Sequence, residues 1–152
     1  MLPKILFASL LVVVTVSIHA VGFAILLRAM MRTHALTKSG FFPVIRFVIV
    51  LMCALIVIHS VEASVWGLFY FWQACLPDLE SAFYFAGGTY TTVGAGDLML
   101  PKSWRMFAPL EAGTGILMAG LSTGLFFALV SRWISNWVKR NTADQPAWPT
   151  NQ

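Results

Sequence analysis

The chain is poor in charge. Of its 152 residues only 11% are Asp, Glu, Lys or Arg, against roughly 25% in soluble domains. So few charges cannot clothe a water-facing surface, and a hydrophobic content of 59% points to the bilayer as the natural solvent. Cysteine is scarce too. Cys53 and Cys75 are the only two; on one helix they would stand about 33 Å apart at a rise of 1.5 Å per residue, so no intrachain disulfide is expected. Cys53 reads as a small apolar residue. Cys75 reads as a free thiol, with pairing to its copy in a neighbouring subunit as the alternative. No internal repeat is visible. No Gly-Lys-Ser/Thr follows the glycines, which argues against a phosphate loop. No His/Cys/acid spacing suggests a metal site, and no nucleophile–base set suggests an enzyme. The net charge is +4 and the pI about 9.4. The Lys and Arg residues lie in short gaps between apolar runs rather than in a stripe, so nucleic acid is not an expected partner.

Three long apolar runs are present: Ile5–Leu27, Phe47–Trp72 and Phe107–Val130. Each exceeds the roughly 20 residues a helix needs to cross a hydrocarbon core of about 30 Å. The first could also be read as a signal peptide, with Lys4 ahead of it and Ser17–Ala20 as a poor cleavage site, but it continues past Ala20 to Leu27. The basic residues set the expected orientation. Arg28, Arg32, Lys38, Arg46, Arg132, Lys139 and Arg140 fall on one side; Lys4, Lys102 and Arg105 fall on the other. This predicts an outside N-terminus and a cytoplasmic C-terminus in a cell membrane. Trp66, Trp72 and Trp104 would then form the outer aromatic belt, and Trp133 and Trp137 the inner one.

A shorter segment, Ser81–Gly96, is mildly apolar and too short to span. It has the size of a re-entrant element. Pro77 and Asp78 form a helix start, and Glu80 falls in the first turn, where negative charge is favourable. A short helix over about Leu79–Thr91 would point its C-terminal carbonyls toward the membrane centre, favouring a cation there. Then comes Thr91-Thr92-Val93-Gly94-Ala95-Gly96-Asp97. Its glycines permit backbone conformations that side chains forbid. Successive carbonyl oxygens turned to one side can replace the water that a passing cation sheds. The alternative is an ordinary Gly-rich loop between two spans.

Thr92–Asp97 resembles the signature filter of potassium channels, usually TVGYGD. The following Leu98-Met99-Leu100-Pro101 resembles the stretch leading to the inner helix, and Ala119–Gly124 resembles the inner-helix pattern of small bacterial two-transmembrane channels. The resemblance covers roughly Phe47–Arg132. It implies an all-α membrane protein with three transmembrane helices, a re-entrant pore helix and a filter loop, assembled as a homotetramer. It implies a pore domain over 47–140 (outer helix Phe47–Trp72, inner helix about Trp104–Trp137), with an additional span and basic cytoplasmic loop over 1–46, lying peripherally. Residues 141–152 read as a disordered tail. The implied K+ ligands are the backbone carbonyls of Thr92, Val93, Gly94 and Ala95 with the Thr92 hydroxyl; Gly96 and Asp97 shape the mouth. No cofactor is implied beyond the permeant K+, with Na+ as a further candidate. Two departures bear on selectivity. Ala95 stands where the family has Tyr or Phe, and Gly88 stands where some members carry a carboxylate. Tyr84, Phe85 and Tyr90 are candidates to fill the gap left at Ala95. The rival readings are a non-selective monovalent cation channel and a non-conducting membrane subunit that needs a partner.

Other residues carry two readings each. Gly120 is a gating-hinge candidate, or a packing glycine in a Gly120-x-x-x-Gly124 pair. His59 and Glu62, three apart, share a helical face; they form a proton sensor or a hydrogen-bonded pair, with Glu111 as a candidate third member. His19 reads as a lone, satisfied histidine and His34 as a loop residue. Phe126, Phe127 and Val130 are candidates for an apolar constriction. No span carries Arg at every third position, so no voltage sensor is expected. The short stretch after Arg140 does not read as a soluble domain, so no built-in ligand-binding gate is expected.

Overall fold

The computed structural model describes residues 2–32 and 41–143. Four helices follow in chain order: α1 (Leu2–Arg32), α2 (Phe41–Trp72), the short α3 (Leu79–Tyr90) and α4 (Phe107–Ala143). Among the described residues there is no strand. Three of the helices, α1, α2 and α4, are long and apolar enough to cross a membrane. Helix is the natural choice for them, because it satisfies every backbone N–H and C=O within the segment where no water can.

The helices outrun the apolar runs. α2 starts at Phe41 rather than 47, and so crosses the expected 46/47 domain boundary. Pro43 does not prevent this, because a first-turn residue needs no N–H partner. α4 is continuous through Gly120 and includes residues 141–143, the start of the expected disordered tail. The remainder of that tail, and His34 and Lys38 of the basic loop, lie outside the described residues.

Lipid is as apolar as leucine, so these helices do not associate by burying oily surface. Close packing and interhelical hydrogen bonds hold them, the latter averaging about 0.6 kcal/mol each and reaching about 1.7. Two apolar clusters mark the two ends of the bundle. One gathers Leu11, Trp66, Tyr70, Phe85 and Phe107. The other gathers Leu26, Met30, Leu51 and Leu129. At the first end the Lys4 Nζ donates to the Ser103 carbonyl at 2.7 Å and sits 4.7 Å over the Trp104 ring. Lys4 thus shares an end with Lys102 and Arg105, as the charge pattern groups them.

Trp66 corrects the expected aromatic belt. It is fully buried, and its indole Nε1 donates to Thr15 Oγ1 at 3.1 Å. A buried indole needs that acceptor, and α1 supplies it. Trp72, by contrast, is exposed.

α2 ends in a tight cap. Ala74 N donates to Phe71 O and Cys75 N to Tyr70 O, at 3.0 and 2.9 Å, the paired bonds of a Schellman motif. Ala74 carries the left-handed backbone this requires, with φ of 48°. The chain is thereby turned into the start of α3. Cys53 and Cys75 are both free. Cys75 faces the core, and burial pushes its thiol up from the usual range, with Lys4 opposing.

Candidate functional site

The expected re-entrant helix is α3. Asp78 caps it: its Oδ1 accepts from Ser81 N at 2.7 Å, and the Ser81 hydroxyl donates to Oδ2 at 3.0 Å. These bonds, the Ser81 backbone N–H foremost, hold the Asp78 carboxyl below its ordinary value. At the other end Thr91 closes the helix, its N–H donating to Gly87 O at 3.1 Å and its hydroxyl to the same oxygen at 2.7 Å.

The segment after α3 is neither helix nor strand. Its backbone φ is positive at every second residue: 64° at Thr92, 91° at Gly94 and 60° at Gly96. Val93 and Ala95 between them are not in this set. In a simple extended strand, carbonyls alternate from side to side. Left-handed residues at alternate positions interrupt that side-to-side pattern. Glycine adopts the left-handed state freely; Thr92, with a β-branched side chain, does so only under constraint.

Gly88 explains how the segment is held. Its carbonyl accepts from Gly94 N at 2.9 Å. A Cβ at Gly88 would stand 2.6 Å from the Gly94 oxygen and 3.0 Å from its carbon. No side chain fits there, so backbone rests on backbone where some relatives of the resembled family place a carboxylate. The oxygen is the nearer atom, so the Gly94 carbonyl is directed at α3. Gly115 is a second such contact: a Cβ there would run into the Tyr90 carbonyl, so α4 passes hard against the end of α3.

Val93 is 84% exposed, and Thr91, Thr92, Gly94, Gly96 and Asp97 are exposed as well. Ala95 is buried in the cluster with Phe85 and Tyr90. Tyr84 does not join them. It is 59% exposed and lines a cleft of about 680 Å³ together with Asp78, Glu80 and Asp97. Three carboxylates around one cleft give its mouth a negative potential.

Behind the segment lies a polar cluster that the sequence shows only in part. The His59–Glu62 pair is present, with Nδ1 and Oε2 3.1 Å apart. The third member is not Glu111. Glu111 accepts from the Tyr70 hydroxyl at 2.7 Å. It is His19 from α1, whose Nδ1 is 2.6 Å from Glu62 Oε1. The reading of His19 as a lone histidine is therefore corrected. The Tyr90 hydroxyl also donates to Glu62 Oε2, and Ser122 of α4 meets His59 Nε2 at 2.9 Å.

Residues 11–132 match the family described as ion channel. The chain belongs to the ion channel family. No curated protein and no solved structure matches it. The matched region begins inside α1 and ends inside α4, so it takes in most of the first span, which the resemblance to two-transmembrane channels had left outside. In this ion channel, α1 supplies Thr15 to Trp66 and His19 to Glu62. Membership in the family points to passive ion transport rather than catalysis. Gly120 lies on an exposed face of α4 with Leu117, Leu121 and Gly124. Phe127 is 72% exposed while Phe126 packs with the Leu26 cluster, so Phe127 is the better placed of the two for an apolar constriction.

Proposed function

We propose that the chain is one subunit of a homotetrameric, potassium-type cation channel. The observation that carries this reading is the exposed, non-helical segment Thr91–Asp97 with its alternating left-handed residues at 92, 94 and 96. Irregular backbone at membrane depth is tolerated only where protein buries it or water reaches it. Four copies around one axis meet both conditions and present main-chain oxygens to a cation stripped of water. The C-terminal end of α3 adds the negative end of its dipole. The acidic cleft of Asp78, Glu80 and Asp97 gathers cations at the outer mouth. The proposed ligands are the carbonyls of Thr92, Val93, Gly94 and Ala95, with the Thr92 hydroxyl. The Gly94 oxygen, which rests on Gly88 in the single subunit, serves after the 94–95 peptide turns, a motion that glycine at 94 permits. In this reading Lys4 and the α3–α4 connection face outward, and both ends of the basic set face the cytoplasm of a cell membrane.

A second reading is favoured by Ala95. It is small, and no aromatic at this position wedges the segment against α3. The width of the filter then rests on the Gly88 contact and the small Ala95 side chain packed with Phe85 and Tyr90, which favours conduction of Na+ as well as K+. Reversal potentials measured with K+ on one side of the bilayer and Na+ on the other separate the two. A large shift supports the potassium channel; a shift near zero supports the mixed one. A confirmed tetramer that passes no ions in liposomes overturns both and leaves a subunit in need of a partner.

A further inference from the structure

We infer that His19, His59 and Glu62 form a transition-metal site of the zinc class, built between α1 and α2 behind the filter segment. One ring nitrogen of each histidine and a carboxylate oxygen of Glu62 all lie within 4.8 Å of one another. A four-coordinate zinc-like ion with bonds of about 2.0–2.1 Å sets donor atoms roughly 3.3 Å apart. The present separations are 2.6 Å from His19 Nδ1 to Glu62 Oε1 and 3.1 Å from His59 Nδ1 to Glu62 Oε2, so the carboxylate bridges the two imidazoles. Shifts of under about 1 Å per donor admit the ion at those bond lengths. Two imidazoles and one carboxylate are a common set for such ions.

Charge argues the same way. Glu62 is fully buried in the second span, and its ion-pair partners among the described residues are His19 and His59. A carboxylate at that depth needs a positive charge beside it. Among the described residues no Lys or Arg forms an ion pair with it.

The surroundings fit outer-shell roles. A ligating histidine is held by a hydrogen bond at its other nitrogen. Ser122 Oγ stands 2.9 Å from His59 Nε2; a proton on Nε2 donated to Ser122 leaves the Nδ1 lone pair facing Glu62. The Tyr90 hydroxyl holds the second carboxylate oxygen and, 3.2 Å from His59 Nδ1, is placed to become the fourth ligand. His19 is 2% exposed with no hydrogen-bond partner at Nε2 among the described residues, so its ring is hydrogen-bonded through Glu62. The His59 side chain is 23% exposed, which leaves a way in. A bound ion would clamp α1 to α2 and, through Tyr90, to the residue just before Thr91.

Cobalt(II) added to the chelator-stripped, full-length protein tests this without reference to conduction. The expected result is saturable binding of about one ion per chain, with the visible d–d absorption of a four-coordinate nitrogen/oxygen site, displaced by zinc. His19→Asn keeps a donor toward Glu62 and removes the imidazole; it should weaken cobalt binding by about tenfold or more, the scale at which even outer-shell changes act, with an unchanged melting temperature of the metal-free protein. His59→Asn serves as the second variant. Absence of the band in folded protein, or a band that survives both substitutions, overturns the site and leaves a proton-linked hydrogen-bond cluster. Because the readout is absorption, a failure of the channel reading leaves this result unaffected, and the reverse holds as well.

Discussion

Replacing Gly88 by alanine places a Cβ 2.6 Å from the Gly94 carbonyl oxygen. Both atoms are bound to backbone, so neither can swing aside as the tip of a long side chain would. Ordinary contact begins near 3.4 Å; α3 and the filter segment must therefore separate by about 0.8 Å, and the Gly94 N to Gly88 O bond of 2.9 Å stretches beyond useful length. Overpacking of this kind costs about 1–3 kcal/mol. Gly87, one residue earlier on the same helix, is the matched control, since a Cβ there meets nothing within 4 Å. The helix-propensity gain of glycine to alanine, about 1 kcal/mol, is common to both and cancels. The difference between the two variants in a detergent unfolding assay is thus expected at about 1–3 kcal/mol, with Gly88→Ala the less stable. In proteoliposome flux, Gly88→Ala should lose most cation transport while Gly87→Ala retains it. Equal stability and equal flux in the two variants would refute the claim that backbone contact at Gly88 holds the segment proposed as the filter.

Ala95→Tyr should raise the preference for K+ over Na+, because an aromatic there restores a wedge between filter and α3; an unchanged permeability ratio counts against the account. Ala74→Gly should stabilise the fold by about 1 kcal/mol, since a left-handed non-glycine residue costs roughly that much, and an unchanged melting curve would contradict it. Asp78 has its carboxyl pKa lowered in the fold; the stability it contributes is complete above the ordinary carboxylate value of about 4 and is lost as pH falls through the lower folded value. Asp78→Asn keeps the cap and removes the titration, so the advantage of the unsubstituted protein should be present at neutral pH and close on the acid side; parallel curves down to the lowest pH would exclude this role. Cys75, with its thiol pushed up by burial, should react with a maleimide more slowly at neutral pH than an ordinary free thiol, as mass spectrometry can follow. Rapid labelling in the folded protein would show the thiol to be open to solvent.

Much of this architecture is visible in the order of residues. The three spans follow from run length alone, and the start of α3 from Asp78, because a cap is a local device that needs only the next three residues. His59 and Glu62 are likewise legible as a pair, since three residues on a helix share a face. What is not legible is whatever depends on how one helix crosses another. Nothing in the first run distinguishes His19 from a solitary polar residue until the register of α1 against α2 sets it on Glu62. Trp66 reads as a belt residue for the same reason: its partner Thr15 lies in another span. Gly88 reads as a missing carboxylate, whereas its role is the space it leaves for Gly94. The helix ends beyond the apolar runs escape notice because hydropathy marks only what lies in lipid, while a helix continues for as long as its own hydrogen bonds do.

The dependence of α2 on α1 bears on how the protein can be cut. A chain trimmed to begin at α2 would keep α2, α3, the segment after it and α4. It would also strand a buried indole N–H that now donates to Thr15 and remove one of the two histidines that contact the Glu62 carboxylate. The first helix is therefore a structural partner of the second, and a two-helix excision of this protein inherits unpaired polar groups that its surroundings in lipid cannot satisfy.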